Sequence, residues 1–132
     1  MALDARSSTH PIIQKINTVD ETSQAFDSIT YRKGEAVIRM LEASVGRDQF
    51  RAGVRNYMAK HAYGNTITTD LWQAVSAASG QPVTKIMEGF TLQGGVPLIK
   101  VGTPSCVNGV GRVTLSQGRF GLDPVSKAAR LW

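Results

Sequence analysis

The chain has 132 residues and a formal net charge of +5, with 42% hydrophobic and 19% charged residues. This length suits one ordinary domain, and the balanced composition excludes long disordered or low-complexity architectures. No apolar run approaches the roughly 18 residues of a membrane helix, and the first residues lack the apolar core of a signal peptide. We therefore expect no membrane segment and a cytoplasmic location. The mild basic excess is compatible with nucleic acid or an acidic partner protein.

Metal and thiol chemistry has little support in the residue inventory. Cys106 is the only cysteine, so the sequence has neither an internal disulfide nor a paired-thiol zinc site. The two histidines, His10 and His61, belong to no H-E-x-x-H pattern. We expect His61 to be structural, and we expect this chain to bind no zinc by itself.

The first strongly periodic segment is a helix predicted at residues 28–45. Residues 1–25 before it lack a long pattern, and Asp27 or Ser28 is the candidate N-cap. Five apolar side chains share one arc of this helix: Val37, Ile38, Met40, Leu41 and Val45.

Two residues of this first helix do not fit an ordinary amphipathic pattern. Gly34 lowers helix propensity by roughly 1 kcal/mol relative to alanine, which indicates a close approach of some other group to the backbone. Tyr31 lies at the edge of the buried arc, where a tyrosine can bury its ring and still direct its hydroxyl into a cleft.

Three further helices are predicted before residue 93. The second begins at Asp48 and directs Phe50, Val54, Tyr57, Met58 and His61 to one face. The third is capped by Thr68 or Thr69 and ends at Gly80, and the fourth begins with Pro82. The pattern predicts a mainly α fold, a stack of about four to five short helices arranged as α-hairpins.

The periodicity changes from helical to alternating after Gln93-Gly94-Gly95. Residues 97–101 and 112–117 are predicted strands, with a turn at Asn108-Gly109 between them. A short antiparallel β tail should therefore follow the helices, and Asp123-Pro124 is a local start for one more helix. We assign residues 1–95 to a helical unit and residues 96–132 to the beginning of an incomplete β domain, because two strands alone are marginal in water.

The alternative interpretation is a small basic interaction domain or DNA-binding domain. Residues 69–92 have the length of a helix-turn-helix, and the chain is basic. The second helix of this pair offers only Lys85 as a base, beside Glu88, whereas a recognition helix usually carries more Arg, Lys, Asn or Gln.

Several motifs together resemble the zinc aminopeptidases of the aminopeptidase N type, which belong to the gluzincins. The resemblance covers nearly the whole chain in the same order. It is carried by S-T-H-P-I at residues 8–12, F-D-S-I-T-Y-R-K-G-E-A-V-I-R-M-L at residues 26–41, the segment 46–64, T-D-L-W at residues 69–72, and F-T-L-Q-G-G-V-P-L-I at residues 90–99. Phe90 stands where the family usually has Trp.

The resemblance implies that this chain is a fragment of a larger peptidase. Residues 1–95 would form the C-terminal helical part of the catalytic domain, and residues 96–132 the first strands of the β-sandwich that follows it. The zinc motif and the G-x-M-E-N site of the family would lie upstream, so zinc would be a cofactor of the parent and the fragment alone would be inactive. The implied partners are a peptide substrate and the remainder of the same polypeptide, with no nucleic acid.

The resemblance also implies site residues. Tyr31 falls on the tyrosine of the Y-x-K-G signature, whose phenol donates a hydrogen bond to the oxyanion as a zinc-activated water attacks the scissile carbonyl. Phe26 matches a position that lines the pocket for the substrate's N-terminal side chain. Lys33 and Gly34 complete the signature, and we assign them structural roles. No metal ligand is expected in this chain.

Overall fold

The computed structural model describes residues 2–124 and 132, and its helices lie between residues 19 and 91. The helices are α1 (Val19–Gln24), α2 (Gly34–Val45), α3 (Arg47–Lys60), α4 (Thr68–Ser79) and α5 (Val83–Thr91), with a π-helix at Ile29–Lys33 before α2. Short strands follow as β1 (Val96–Val101), β2 (Ser105–Val107), β3 (Val110–Arg112) and β4 (Leu115–Phe120). The predicted mainly α fold with an antiparallel tail is confirmed. None of the helices in this part of the chain has the length and apolarity of a membrane-spanning segment.

The core forms where α2, α4 and α5 meet. Its buried members are Val37, Leu41 and Val45 from α2, Trp72 and Val75 from α4, and Val83 and Met87 from α5. The i, i+4, i+8 spacing on α2 places one narrow stripe inward, as an amphipathic helix requires. The prediction that Met40 is buried is wrong, because Met40 lies beside this stripe and is 38% exposed.

Helix α3 packs on α4 through a glycine instead of a large side chain. Gly53 is the buried residue of α3, and a Cβ atom there would lie only 2.8 Å from Cα of Val75. The predicted apolar face is half-buried at Phe50 and Val54, but Met58 is 62% exposed. The inclusion of Met58 in the packed face was therefore wrong, since the close approach of the two backbones at Gly53 determines which side of α3 is covered.

The tail contains two antiparallel strand pairs. β1 pairs with β4, with Val96 opposite Phe120, and β2 pairs with β3 across a turn at Asn108 and Gly109. Both turn residues have positive φ, 53° and 75°, as the Asn-Gly signal predicts.

The single strand predicted at residues 112–117 is wrong, because the chain leaves β3 at Arg112 and starts β4 at Leu115. Between these two strands, the Thr114 carbonyl accepts a hydrogen bond from the Gly102 N–H at 2.8 Å. The helix predicted after Asp123-Pro124 lies outside the described residues. The division into domains at residue 95 stays a prediction.

Candidate active site

Tyr31 lies on a π-helical turn that the sequence pattern did not predict. The segment Ile29–Lys33 forms a π-helix, so the continuous α-helix predicted from residue 28 is wrong, and α2 begins at Gly34. Asp27 caps the turn: its Oδ1 accepts the Thr30 N–H at 2.8 Å, and its carbonyl accepts the Tyr31 N–H at 3.1 Å. Isolated π-helical turns are rare and occur frequently at functional sites.

The structure brings the two predicted site residues together on the surface. Tyr31 is 61% exposed and Phe26 is 66% exposed, and their ring centroids are 6.3 Å apart with planes tilted by 31°. Ile29 is buried and anchors the opposite side of the same turn. No side chain among the described residues forms a hydrogen bond with the Tyr31 hydroxyl, which is therefore available to another molecule or another part of a protein.

A buried ion pair holds the C-terminal end of this turn. Lys33 Nζ lies 3.1 Å from Asp4 Oδ2 and donates hydrogen bonds to the carbonyls of Gln93 and Gly95, at 3.2 and 3.0 Å. Asp4 also accepts hydrogen bonds from the Gly95 N–H at 2.8 Å and from the Thr9 hydroxyl. Burial raises the pKa of Asp4, but the hydrogen bonds from Thr9, Gly95 and Lys33 lower this pKa by more, so the net shift is downward.

A second ion pair lies at the N-terminal end of the turn. His10 Nε2 contacts Asp27 Oδ2, and His10 Nδ1 lies 2.8 Å from the Pro11 carbonyl oxygen. Partial burial lowers the pKa of His10, but the contacts with Pro11 and Asp27 raise this pKa by more. Desolvation raises the pKa of Asp27, whereas hydrogen bonds from Thr30 and His10 lower it, with a net downward shift.

The space around Gly34 differs from the expectation. A Cβ atom at Gly34 would meet no described atom outside its own helix within 4 Å, so the predicted close approach is wrong. Gly34 instead borders a cavity of about 450 Å³, whose apolar wall includes Ile12, Ile38 and Trp72.

Sequence reasoning missed Asp4 and the pairing of His10 with Asp27. Asp4 lies in a segment without periodicity, and its partners Lys33 and Gly95 are 29 and 91 positions further along the chain, so no local pattern connects Asp4 to them. His10 and Asp27 stand in two motifs that carry the resemblance, S-T-H-P-I and F-D, and these motifs were the available signal.

The comparison with known proteins decides the family. Residues 1–90 match the Peptidase family M1 domain. The chain belongs to peptidase family M1. This M1 chain is 42% identical over 123 residues to Tricorn protease-interacting factor F2 of Thermoplasma volcanium, which covers 93% of the chain and 15% of that protein.

Two further relatives agree with the M1 assignment. Aminopeptidase 2 of Candida albicans is 42% identical over 120 residues, which cover 91% of this chain and 13% of that protein. Glutamyl aminopeptidase of Bos taurus is 37% identical over 126 residues, or 96% of this chain and 12% of that protein. The chain thus spans about one-eighth to one-seventh of the length of these relatives.

Membership of family M1 implies zinc in a complete enzyme, but the described residues do not fit a zinc site. They contain no group of three or more His, Cys, Asp or Glu side chains that could hold a metal ion. His10 already has an acceptor at each ring nitrogen, and Cys106 is exposed on β2. Any zinc chemistry therefore requires ligands from outside these residues.

Proposed function

We propose that this chain is part of a zinc-dependent aminopeptidase that removes N-terminal residues from peptides, and that Tyr31 supplies the donor that stabilises the oxyanion. One observation carries the proposal: a π-helical turn presents an exposed phenol beside an exposed phenylalanine in an M1 chain. The parent is proposed to act in the cytoplasm.

The chemistry of peptide hydrolysis gives the phenol its role. Attack on the scissile carbonyl places negative charge on the carbonyl oxygen, and a fixed donor at about 2.7–3.1 Å from that oxygen stabilises the transition state. We assign this role to the Tyr31 hydroxyl. The turn that carries Tyr31 is held at one end by the Asp27 carbonyl, which accepts the Tyr31 N–H, and at the other end by the pair of Lys33 with Asp4. Phe26, beside the Tyr31 ring, is proposed to contact the N-terminal side chain of the peptide.

Other parts of a longer polypeptide complete the proposed enzyme. Zinc would be held by ligands outside the described residues, and none of the described residues is proposed as a zinc ligand. The β tail exposes apolar side chains, including Val101, Val107 and Leu115 at 67%, 61% and 61%. We propose that the remainder of the same polypeptide covers them.

Replacing Tyr31 by phenylalanine in the full-length enzyme tests the proposal. Loss of one oxyanion donor costs about 2.7–4 kcal/mol, so kcat should fall by roughly 10²- to 10³-fold. KM should change little, because the hydrogen bond strengthens only in the transition state. Steady-state kinetics with an aminoacyl anilide measures both constants.

Tyr63→Phe is the matched control. Tyr63 is fully exposed beyond α3, so removal of its hydroxyl should leave kcat unchanged. Unchanged turnover in Tyr31→Phe would reject the role assigned to Tyr31. The 132-residue chain alone, assayed with added zinc, should not hydrolyse the anilide.

The DNA-binding alternative gains no support from the helix pair. α5 buries Val83, Met87 and Thr91, and its exposed side carries Lys85 together with Glu88. A basic recognition surface is therefore absent from the described face of α5. This alternative would gain support if the chain bound DNA and its affinity fell steeply as the salt concentration rose.

A further inference from the structure

We propose that His10 and Asp27 form a protonation-dependent clamp that positions Tyr31, with His10 in its doubly protonated, charged form. This inference rests on the proposed role of Tyr31 in the reaction. It adds two positioning residues, neither of which touches the substrate, and it predicts a specific pH dependence of turnover.

The geometry around His10 requires two donors. Nε2 faces the Asp27 carboxylate and Nδ1 faces the Pro11 carbonyl oxygen, and both of these groups can only accept hydrogen bonds. A neutral imidazole has one N–H, whereas the imidazolium has two. Only the charged ring satisfies both contacts at once, and loss of its proton leaves a nitrogen lone pair facing an acceptor.

Asp27 connects this ring to Tyr31 through three separate atoms. Oδ2 contacts His10, Oδ1 accepts the Thr30 N–H, and the backbone carbonyl accepts the Tyr31 N–H. A change in the hold on the Asp27 side chain therefore acts directly on the Thr30 N–H, and the next N–H of the π-helical turn, that of Tyr31, is held by the carbonyl of the same residue.

The opposite end of the turn has contacts that include neither His10 nor Asp27. Lys33 is paired with Asp4 and donates hydrogen bonds to the carbonyls of Gln93 and Gly95. Among the described residues, the charged groups Asp27 and Asp4 act on His10, and both favour the imidazolium. The clamp is thus engaged between the lowered pKa of Asp27 and the raised pKa of His10, and it is released as pH rises through the raised pKa of His10.

Asp27 variants of the full-length enzyme distinguish a role in positioning Tyr31 from a general structural role. Asp27→Ala removes the clamp and should lower kcat on the order of 10- to 100-fold with little change in KM. In the Tyr31→Phe background the same substitution should cause no further loss, because its effect passes through the phenol. Equal fold-losses in both backgrounds would overturn the inference.

Asp27→Asn is the conservative partner variant. Its amide oxygen can accept the Thr30 N–H while its amide nitrogen donates to Nε2 of a neutral His10 ring. This variant should keep most of the kcat and lose the decline attributed to His10 deprotonation on the alkaline side of the kcat–pH profile. An alkaline decline identical to that of the parent enzyme would contradict the clamp. His61→Gln, at the other histidine of the chain, should leave the profile unchanged.

An NMR titration of the 132-residue chain makes the two proposals distinguishable. The Tyr31 amide resonance should follow the protonation of His10, and the coupling should disappear in Asp27→Asn. If the Tyr31 amide resonance of the unsubstituted 132-residue chain does not follow the protonation of His10, the clamp is overturned, even if Tyr31→Phe abolishes turnover of the full-length enzyme. Full turnover in Tyr31→Phe would instead reject the proposed function, and observed coupling would then show that the clamp orders the turn without serving catalysis.

Discussion

Tyr31 and Phe26 are exposed next to each other because the chain between them makes a sharp, capped change of direction. Asp27 directs its side chain back to the Thr30 N–H, and Ile29 is buried on the other side of the turn. The two aromatic rings are therefore left on the outer side, 6.3 Å apart. Large exposed aromatic side chains in such a pair are typical of a surface that contacts another molecule or another part of the chain.

Phe26→Ala should change which substrates the full-length enzyme prefers. If Phe26 contacts the N-terminal side chain, the ratio of kcat/KM for a leucyl over an alanyl anilide should fall by about 10-fold, since lost apolar contacts in such pockets cost roughly 1–3 kcal/mol. Competition assays measure this ratio directly. Phe120→Ala, which removes another partly exposed phenylalanine on β4, is the control. An unchanged ratio in Phe26→Ala would remove Phe26 from the pocket.

At the scale of single residues, the sequence predicted the site residues that lie in recognisable motifs. It did not predict contacts between residues that are far apart in the chain. The resemblance singled out Tyr31 and Phe26, which the structure brings together, while their roles stay predictions. Asp4 could not be found, since a lone carboxylate in an aperiodic segment gives no indication of a partner 91 positions away. The exposed Met40 was misplaced because a period of 3.6 residues locates the centre of a buried stripe better than its edges.

At the scale of the elements, two glycines have opposite surroundings that sequence alone does not distinguish. A Cβ atom at Gly53 would lie 2.8 Å from Cα of Val75 and 3.2 Å from the Ala74 carbonyl oxygen, whereas one at Gly34 would meet open space. The residue type, and so the intrinsic helix propensity, is the same at both positions. The difference arises entirely from tertiary packing, which is why the close approach was predicted at the wrong glycine.

Gly53→Ala should destabilise the chain. Overpacking against a backbone typically costs about 1–3 kcal/mol, which outweighs the gain of up to about 1 kcal/mol in helix propensity. Urea unfolding followed by circular dichroism measures the free energy of unfolding. Gly34→Ala is the control, and it should be neutral or stabilising because no described atom opposes the new methyl group. An equal free energy of unfolding for Gly53→Ala and the unsubstituted chain would contradict the close contact between α3 and α4.

The π-helical turn and the strand break at residues 113 and 114 illustrate a second limit of sequence interpretation. Both are interruptions inside a segment with a continuous favourable pattern, and neither contains a proline. The hairpin at Asn108 and Gly109 was predictable because these residues readily adopt positive φ. The strand break lies beside the hydrogen bond from Gly102, and the π-helical turn ends at Lys33, whose partners include Asp4 and Gly95. Local patterns do not encode such contacts.

At the scale of the whole molecule, the pair Asp4–Lys33 connects the N-terminal segment to the junction between helices and strands. The side chains of Lys33 and Asp4 are only 12% and 7% exposed, so removal of either charge leaves the other buried without compensation. Gly94 packs against the same segment, since a Cβ atom there would lie 3.0 Å from the carbonyl group of His10. Asp4 and His10 are therefore part of the packed structure.

Asp4→Asn should lower the free energy of unfolding at pH 7 by about 3 kcal/mol, because breaking a buried pair leaves one charge unpaired. The pKa of Asp4 is lowered from its usual value of 3.8, so its stabilisation is present above that value and is lost as pH falls through the lowered pKa. The difference between the variant and the parent should shrink in strong acid, as chemical denaturation at several pH values would show.

Glu35→Gln provides the control for the Asp4 experiment. Glu35 pairs with Arg39 at 3.2 Å, but its side chain is 65% exposed and that of Arg39 is 77% exposed. Exposed i,i+4 pairs contribute only about 0.3–0.5 kcal/mol. A loss from Asp4→Asn that is as small as that of Glu35→Gln, or one that does not vary with pH, would contradict the assigned role of the buried pair.

The link between Asp4 and Gly95 also has a consequence for the order of folding. It closes a loop across 91 positions, and the entropic cost of closure rises with loop length, whereas α3 and α4 are neighbours in the chain. We expect the helical hairpin to form first and this closure to come late, so the turn that carries Tyr31 is completed near the end of folding. In pulsed hydrogen exchange, the Tyr31 amide should gain protection after the amides of α4, and simultaneous protection would contradict this order.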